Sequence, residues 1–190
     1  MPVASNKKTL IGTVGYHILG NHSMPPMLFQ HLKDISWPDH IKVDELNWGP
    51  VAVVQMFEAE SPSFQKVIIL CAIEREERSI GDITVYKWLG HLPDEEQIQA
   101  CVGDAATGVI SVENLLVIGE YFKIWKEEVY LVDVEPGPEV AGEDWTPNMK
   151  EAIPDIISTI KRLALIGVDN DMDIKYLQGD TIFINEVITE

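Results

Sequence analysis

Few side chains in this sequence offer chemistry beyond charge, and Cys71 is the best placed of them. It ends the apolar run Val67-Ile68-Ile69-Leu70-Cys71-Ala72, which reads as a strand buried on both faces. Open parallel sheets keep their ligands just beyond such carboxyl ends, so a chemical site in this chain would have Cys71 pointing toward it. The alternative is a small buried hydrophobe, the usual state of a lone cysteine in an apolar run. His17 and His22 share one glycine-flanked loop and His31 follows on the next helix, so a histidine metal cluster can be drawn. Against it, His31 suits a packed helix face and His17 an exposed loop. Ser23, His22 and Asp39 could be combined into a triad, but no GxSxG elbow supports one. Gly12-Thr13-Val14-Gly15 is too short for a dinucleotide fingerprint, and no Gly-Lys-Ser or Gly-Lys-Thr forms a Walker loop. The acidic run Asp169-Asn170-Asp171-Met172-Asp173 lacks the glycine and the closing glutamate of a calcium loop.

These residues depend on an alternation of strands and helices. Thr9 to Val14 reads as a first strand, with Gly15 allowing a turn or a close approach to a ligand. A loop follows, then a helix with Pro25 or Pro26 in its first turn, Ser23 as cap, and Met27, Leu28, His31 and Leu32 on the face turned to the sheet. Ile41 to Leu46 alternates as a second strand and stops at the turn Asn47-Trp48-Gly49-Pro50, and Val51 to Glu58 is a short helix. After the central strand, Ile83 to Trp88 is β-branched and aromatic, and its charged neighbours place it toward an edge. Asp94 to Cys101 reads as a helix and the stretch 103–108 as a flexible loop. Ser111 caps a helix built on Val112, Leu115, Leu116, Ile118 and Phe122, and Val129 to Val134 is again a strand. Thr146-Pro147 opens a long helix lined by Ile153, Ile156, Ile157, Ile160 and Leu163, with Pro154 inside it and Gly167 closing it. The pattern predicts a three-layer α/β/α sandwich with a mostly parallel central sheet. Residues 1–167 make the main domain; residues 168–190, which carry the apolar, β-branched run Thr181-Ile182-Phe183-Ile184, are read as an acidic extension forming one more strand or a hairpin.

A chain of 190 residues is long enough for one full core. With 31 acidic against 14 basic residues the formal charge is −17, a field that repels phosphate backbones and anionic lipid. Nucleic-acid and membrane-surface roles are therefore not expected, whereas a basic protein partner or a cation fits. The start, Met1 to Lys8, has no apolar block of signal-peptide type, and two cysteines make neither a disulfide scaffold nor a metal knuckle. A cytoplasmic protein is the expectation.

Taken in order, the motifs resemble those of the endopeptidases that mature the large subunit of nickel–iron hydrogenases. Val14-Gly15-Tyr16-His17-Ile18-Leu19-Gly20-Asn21-His22 resembles that family's first loop, GxGNxLxxDDxxG. Asn47-Trp48-Gly49-Pro50 stands where the family has Asp-Gly-Gly-Thr, and Ile68-Ile69-Leu70-Cys71-Ala72-Ile73 where its apolar strand ends in Asp-Ala. Gly81 to Tyr86, Val132-Asp133-Val134-Glu135-Pro136 and Trp145-Thr146-Pro147 complete the match, which covers about Leu10 to Leu163. The resemblance implies the α/β/α fold and a cleft formed by Gly15, Tyr16, Asn21, Asn47, Trp48 and Gly49. The family binds nickel through a first-loop acid, an Asp at the end of the central strand and a later His. Here those positions hold His22, Cys71 and, near Thr107 or Gly108, no His at all. Two alternatives follow. In one, the fold and its partner surface persist without peptidase chemistry, the partner being a metalloenzyme large subunit or its carboxyl-terminal extension. In the other, His22 and Cys71, with Asp104 or Cys101 as third ligand, rebuild a site of softer ligands for nickel or zinc, imidazole and thiolate suiting zinc better than the oxygen-rich site they would replace, and endopeptidase activity is kept. A third expectation, from a different class, is an acidic adaptor unrelated to hydrogenases.

Overall fold

The computed structural model describes residues 7–75, 77–109 and 111–182. Along the chain, β1 (Thr9–Thr13) leads through a 3-10 turn (Gly20–Ser23) to α1 (Met24–Lys33), β2 (Ile41–Glu45), α2 (Pro50–Ala59) and β3 (Lys66–Ala72). Then follow β4 (Ile83–Trp88), α3 (Glu95–Thr107), α4 (Val112–Tyr121), β5 (Glu128–Val134), α5 (Pro147–Leu165), β6 (Ile174–Leu177) and a last turn of helix, α6 (Gly179–Ile182). One sheet holds all six strands in the order β2-β1-β3-β5-β4-β6. The four strands β2, β1, β3 and β5 run parallel; β4 is antiparallel to β5, and β6 runs parallel to β4.

The central strands are buried along nearly their whole length because both sheet faces are covered. Leu10, Val67, Ile69 and Leu131 pack with Val53, Val54 and Phe57 of α2 and Leu115 and Leu116 of α4. Ile11, Ile68, Leu70 and Val132 pack with Leu28 and Leu32 of α1 and Met149, Ile156 and Ile160 of α5. This is the expected three-layer sandwich. Thr146 caps α5 through its side chain, which accepts from Met149 N, and the helix continues through Pro154, which lies on its exposed face. Ser111 caps α4 in the same way, accepting from Asn114 N. No single helix among the described residues is long and apolar enough to cross a membrane.

Several local expectations are corrected. Ser23 does not cap α1, because its hydroxyl accepts instead from Leu19 N at 2.7 Å. The buried face of α1 is Met24, Leu28 and Leu32, while Met27 and His31 are exposed, a rotation of the stripe by one position. Residues 103–107 are helical: Ala105 and Ala106 favour extension of α3 past Gly103, and the helix stops only at Gly108, which adopts the left-handed conformation with φ +84. β4 lies one place in from the edge, since β6 pairs with its far side. Within the segment 168–190, β6 spans Ile174–Leu177 and Thr181 and Ile182 sit in α6; Phe183 and Ile184 lie outside the described residues.

Candidate functional site

A cavity of about 290 Å³ opens at the carboxyl ends of β1 and β3, where the sequence places Cys71. Val14, Cys71 and Ala72 form its floor. Tyr16 and His22 come from the loop after β1, Val112 and Glu113 from the start of α4, and Glu74 and Glu139 from the segments after β3 and β5.

His22 is half-buried, and its Nε2 lies 2.8 Å from the carbonyl of Gly137. A carbonyl only accepts, so Nε2 carries a proton and the acceptor of the neutral ring is Nδ1. Gly137 is itself held, its N–H donating to Glu135 Oε1 at 2.9 Å. Asn21, next to His22, is buried and donates through Nδ2 to Pro136 O at 2.9 Å and to Thr146 Oγ1 at 3.1 Å. Its Oδ1 accepts from Thr146 N at 3.0 Å, so this amide fastens the first loop to the cap of α5. Cys71 is 1% exposed, and its Sγ is 3.9 Å from Val132 O. Burial, reinforced by the neighbouring Asp133, pushes its thiol well above the ordinary value, so the neutral form prevails near pH 7. Burial also raises the Glu113 carboxyl, against hydrogen bonding to its own backbone and the opposing charge of Arg75.

Behind the floor lies an ionic cluster that no motif announced. Asp133 is fully buried beside Cys71 in the sheet register. Its Oδ2 accepts from Arg75 Nε at 2.6 Å and its Oδ1 from Arg78 Nη2 at 3.3 Å. Glu135 accepts from Arg78 Nε at 3.2 Å and from the backbone N–H of Arg75 at 2.8 Å, and the Arg75 guanidinium lies over the Tyr86 ring, 5.0 Å from its centroid. The signals were the acids at 133 and 135 at the end of an apolar strand and two arginines just past another.

Of the residues singled out in the sequence, Gly15, Tyr16, His22 and Cys71 line the cavity together. Asn47 holds the loop instead, its Oδ1 accepting from Gly15 N at 3.0 Å. Gly49 precedes α2 in the left-handed region, and Trp48 is 68% exposed and outside the cavity lining. Asp104 and Thr107 stand on the exposed side of α3: Asp104 accepts from Asn114 Nδ2 at 3.4 Å, and Thr107 donates to Asp104 O at 2.9 Å. Cys101 is buried in the core. The third wall of the cavity is therefore made by Glu113, a residue the motif count did not single out.

No protein-family model matches the sequence, and no curated protein resembles it significantly. Solved structures do match. The hydrogenase maturating endopeptidase HybD from E. coli superposes with a TM-score of 0.59 at 16% identity, over 80% of this chain and 89% of that one. The chain has the fold of the hydrogenase maturation endopeptidases. A hydrogenase 2 maturation peptidase from a thaumarchaeon matches with a TM-score of 0.55 at 18% identity, over 82% of this chain and 97% of its own. The NiFe hydrogenase maturation protease HycI from Thermococcus kodakarensis gives 0.56 at 14% identity, over 84% and 94%. Identities this low establish the endopeptidase fold, and the chemistry has to come from the residues of this chain. These do not fit the nickel site that the fold implies. Among the described residues no three of His, Cys, Asp and Glu are grouped so as to hold a metal ion. The one thiol at the cavity is protonated, and the one imidazole has Nε2 committed to a carbonyl.

Proposed function

We propose that this is a hydrogenase-maturation-protease-like protein of the cytoplasm that has no peptidase chemistry and binds a segment of a partner protein in the cavity above β1 and β3. By the resemblance, that partner is a metalloenzyme large subunit or its carboxyl-terminal extension. The observation that carries this reading is the state of the two residues standing at the ligand positions: Cys71 is a buried neutral thiol on the Val132 carbonyl, and His22 is tethered to Gly137. Taking up a metal through them would require deprotonating that thiol in an apolar setting beside the Asp133 charge. The cavity itself persists, open and fenced by carboxylates, which suits recognition without cleavage.

The test is calorimetric titration of the purified chain with nickel and with zinc, beside the double variant His22→Ala, Cys71→Ala, followed by incubation with an uncleaved hydrogenase large-subunit precursor. The expected results are no stoichiometric binding that depends on His22 and Cys71, and an intact precursor by mass spectrometry. Tight 1:1 binding abolished in the double variant, with precursor cleavage, would overturn the proposal in favour of an endopeptidase with altered ligands.

A further inference from the structure

The cavity above β1 and β3 takes residues from the first turn of α4, and the far end of the same helix carries a second feature. The sequence places Phe122 on the buried stripe of α4 with Val112, Leu115, Leu116 and Ile118, but its ring stands in solvent at the helix cap, 49% exposed, and the neighbouring Tyr121 is 54% exposed. The two rings meet edge to face with centroids 5.3 Å apart, so they make one aromatic projection. Two hollows adjoin it. One, of about 250 Å³, is lined by Phe122 with Phe57, Ser63 and Ile124; the other, of about 460 Å³, is lined by Leu89, Leu92 and Trp125; Lys123 is a wall of both. A self-contact about a two-fold axis needs a projection and a hollow on one patch, because each copy must supply both shapes.

Charge selects the occupant. At a formal charge of −17, two copies repel each other over most of their surface. At this face the acids are met by cations: Glu120 pairs with Lys123 at 3.1 Å and Glu127 with Lys7 at 2.8 Å. Glu58 and Lys126 are both exposed and both line the smaller hollow beside Phe122; among the described residues neither has an ion pair, and Lys126 Nζ donates to Lys123 O at 2.9 Å. One unpaired acid and one unpaired cation on a single patch are complementary to a second copy of that patch. We infer that the chain pairs with a second copy of itself through this face, Tyr121 and Phe122 packing into the hollows of the partner while Glu58 meets the partner's Lys126 and Lys126 meets the partner's Glu58. Buried aromatic rings then anchor the contact, and the charge pairs set its register. The cavity above β1 and β3 lies at the other end of α4, about 15 Å away by the rise of that ten-residue helix, so it stays open in both copies.

The experiment is sedimentation velocity of the full chain over a concentration series in about 0.15 M salt, where charges more than about 8 Å apart are largely screened. The expected result is a reversible monomer–dimer equilibrium. Phe122→Ser, which removes two anchors from each dimer, should raise the dissociation constant about a hundredfold, and Lys126→Glu about tenfold, both with the thermal melt of the native fold kept, since these side chains are exposed. Lys126→Glu and Glu58→Lys should each associate weakly alone, yet an equimolar mixture of the two should pair as tightly as the native chain, a recovery that only reciprocal contact gives. A chain that stays monomeric at every concentration, or a dimer indifferent to Phe122→Ser and to both charge variants, would overturn the inference. Dimerisation that appears only after removal of residues 1–6 would overturn it too, by making the start of the chain the occupant of this face. None of these outcomes bears on partner binding in the cavity above β1 and β3.

Discussion

Asp133 has no solvent exposure, and both of its carboxylate oxygens are held by guanidinium groups, those of Arg75 and Arg78. Neutralising the acid would leave the largely buried Arg75 without its counter-charge and Arg78 with Glu135 alone. The amide that replaces it could pair with only part of what the carboxylate holds. Removing one partner of a buried ion pair commonly costs about 3–5 kcal/mol. Asp133→Asn should therefore lower the unfolding free energy by about that much in a urea titration followed by circular dichroism; a loss under about 1 kcal/mol would mean that the cluster is dispensable. Such a network was beyond sequence reading because its members are 58 and 55 positions apart and meet only once β3 and β5 pair. Cys71 and His22 were legible as neighbours of one cavity for the opposite reason, since the end of a strand and the loop after its neighbour converge in any open parallel sheet. Glu113 was not, because its position comes from how α4 docks and not from a motif.

Among the elements, α5 is legible from Thr146-Pro147 and the spacing of its isoleucines, whereas the end of α3 is not, because two glycines, Gly103 and Gly108, flank its last turn and look alike in the sequence. Only Gly108 has positive φ and acts as a break. What the pattern of α5 concealed is how it ends. Lys66, the first residue of β3, is buried, and its Nζ donates to Leu163 O at 3.1 Å in the last turn of α5. A cation there complements the helix dipole and meets an otherwise unpaired carbonyl. Burial lowers the pKa of Lys66 below the ordinary lysine value. In the alkaline window between the lowered value in the fold and the ordinary value in the unfolded chain, the unfolded state holds more protons, so this residue makes stability rise with pH. Urea midpoints of the native chain should therefore gain on those of Lys66→Met as pH climbs through that window, and a constant difference would contradict a depressed lysine.

At the scale of the whole molecule, residues 174–177, within the segment read from sequence as an extension, form a strand of the sheet. β6 pairs with β4 through Val85, Tyr86, Lys87 and Trp88, and Leu177 and Ile182 are buried in the core with Trp88 and Cys101. We expect a chain ending at Gly167 to expose the β4 edge and to elute as oligomers or aggregates by size-exclusion chromatography, where the full chain runs as a discrete species. A well-behaved monomer with a cooperative melt would instead make the extension an independent appendage. The three-layer plan was legible because strands buried on both faces and amphipathic helices alternate along the chain. The sheet order was not, because pairings such as Val85 with Ile174 leave no trace in local pattern. That pairing also bears on biosynthesis. At about 5–20 residues per second, β4 would leave the ribosome on the order of ten seconds before β6. Until β5 follows, Ile83 to Trp88 is a nascent strand with neither neighbour in place, and its far edge stays open until β6 arrives; Asp82 and Lys87, charged residues just before and within it, act against pairing with other chains.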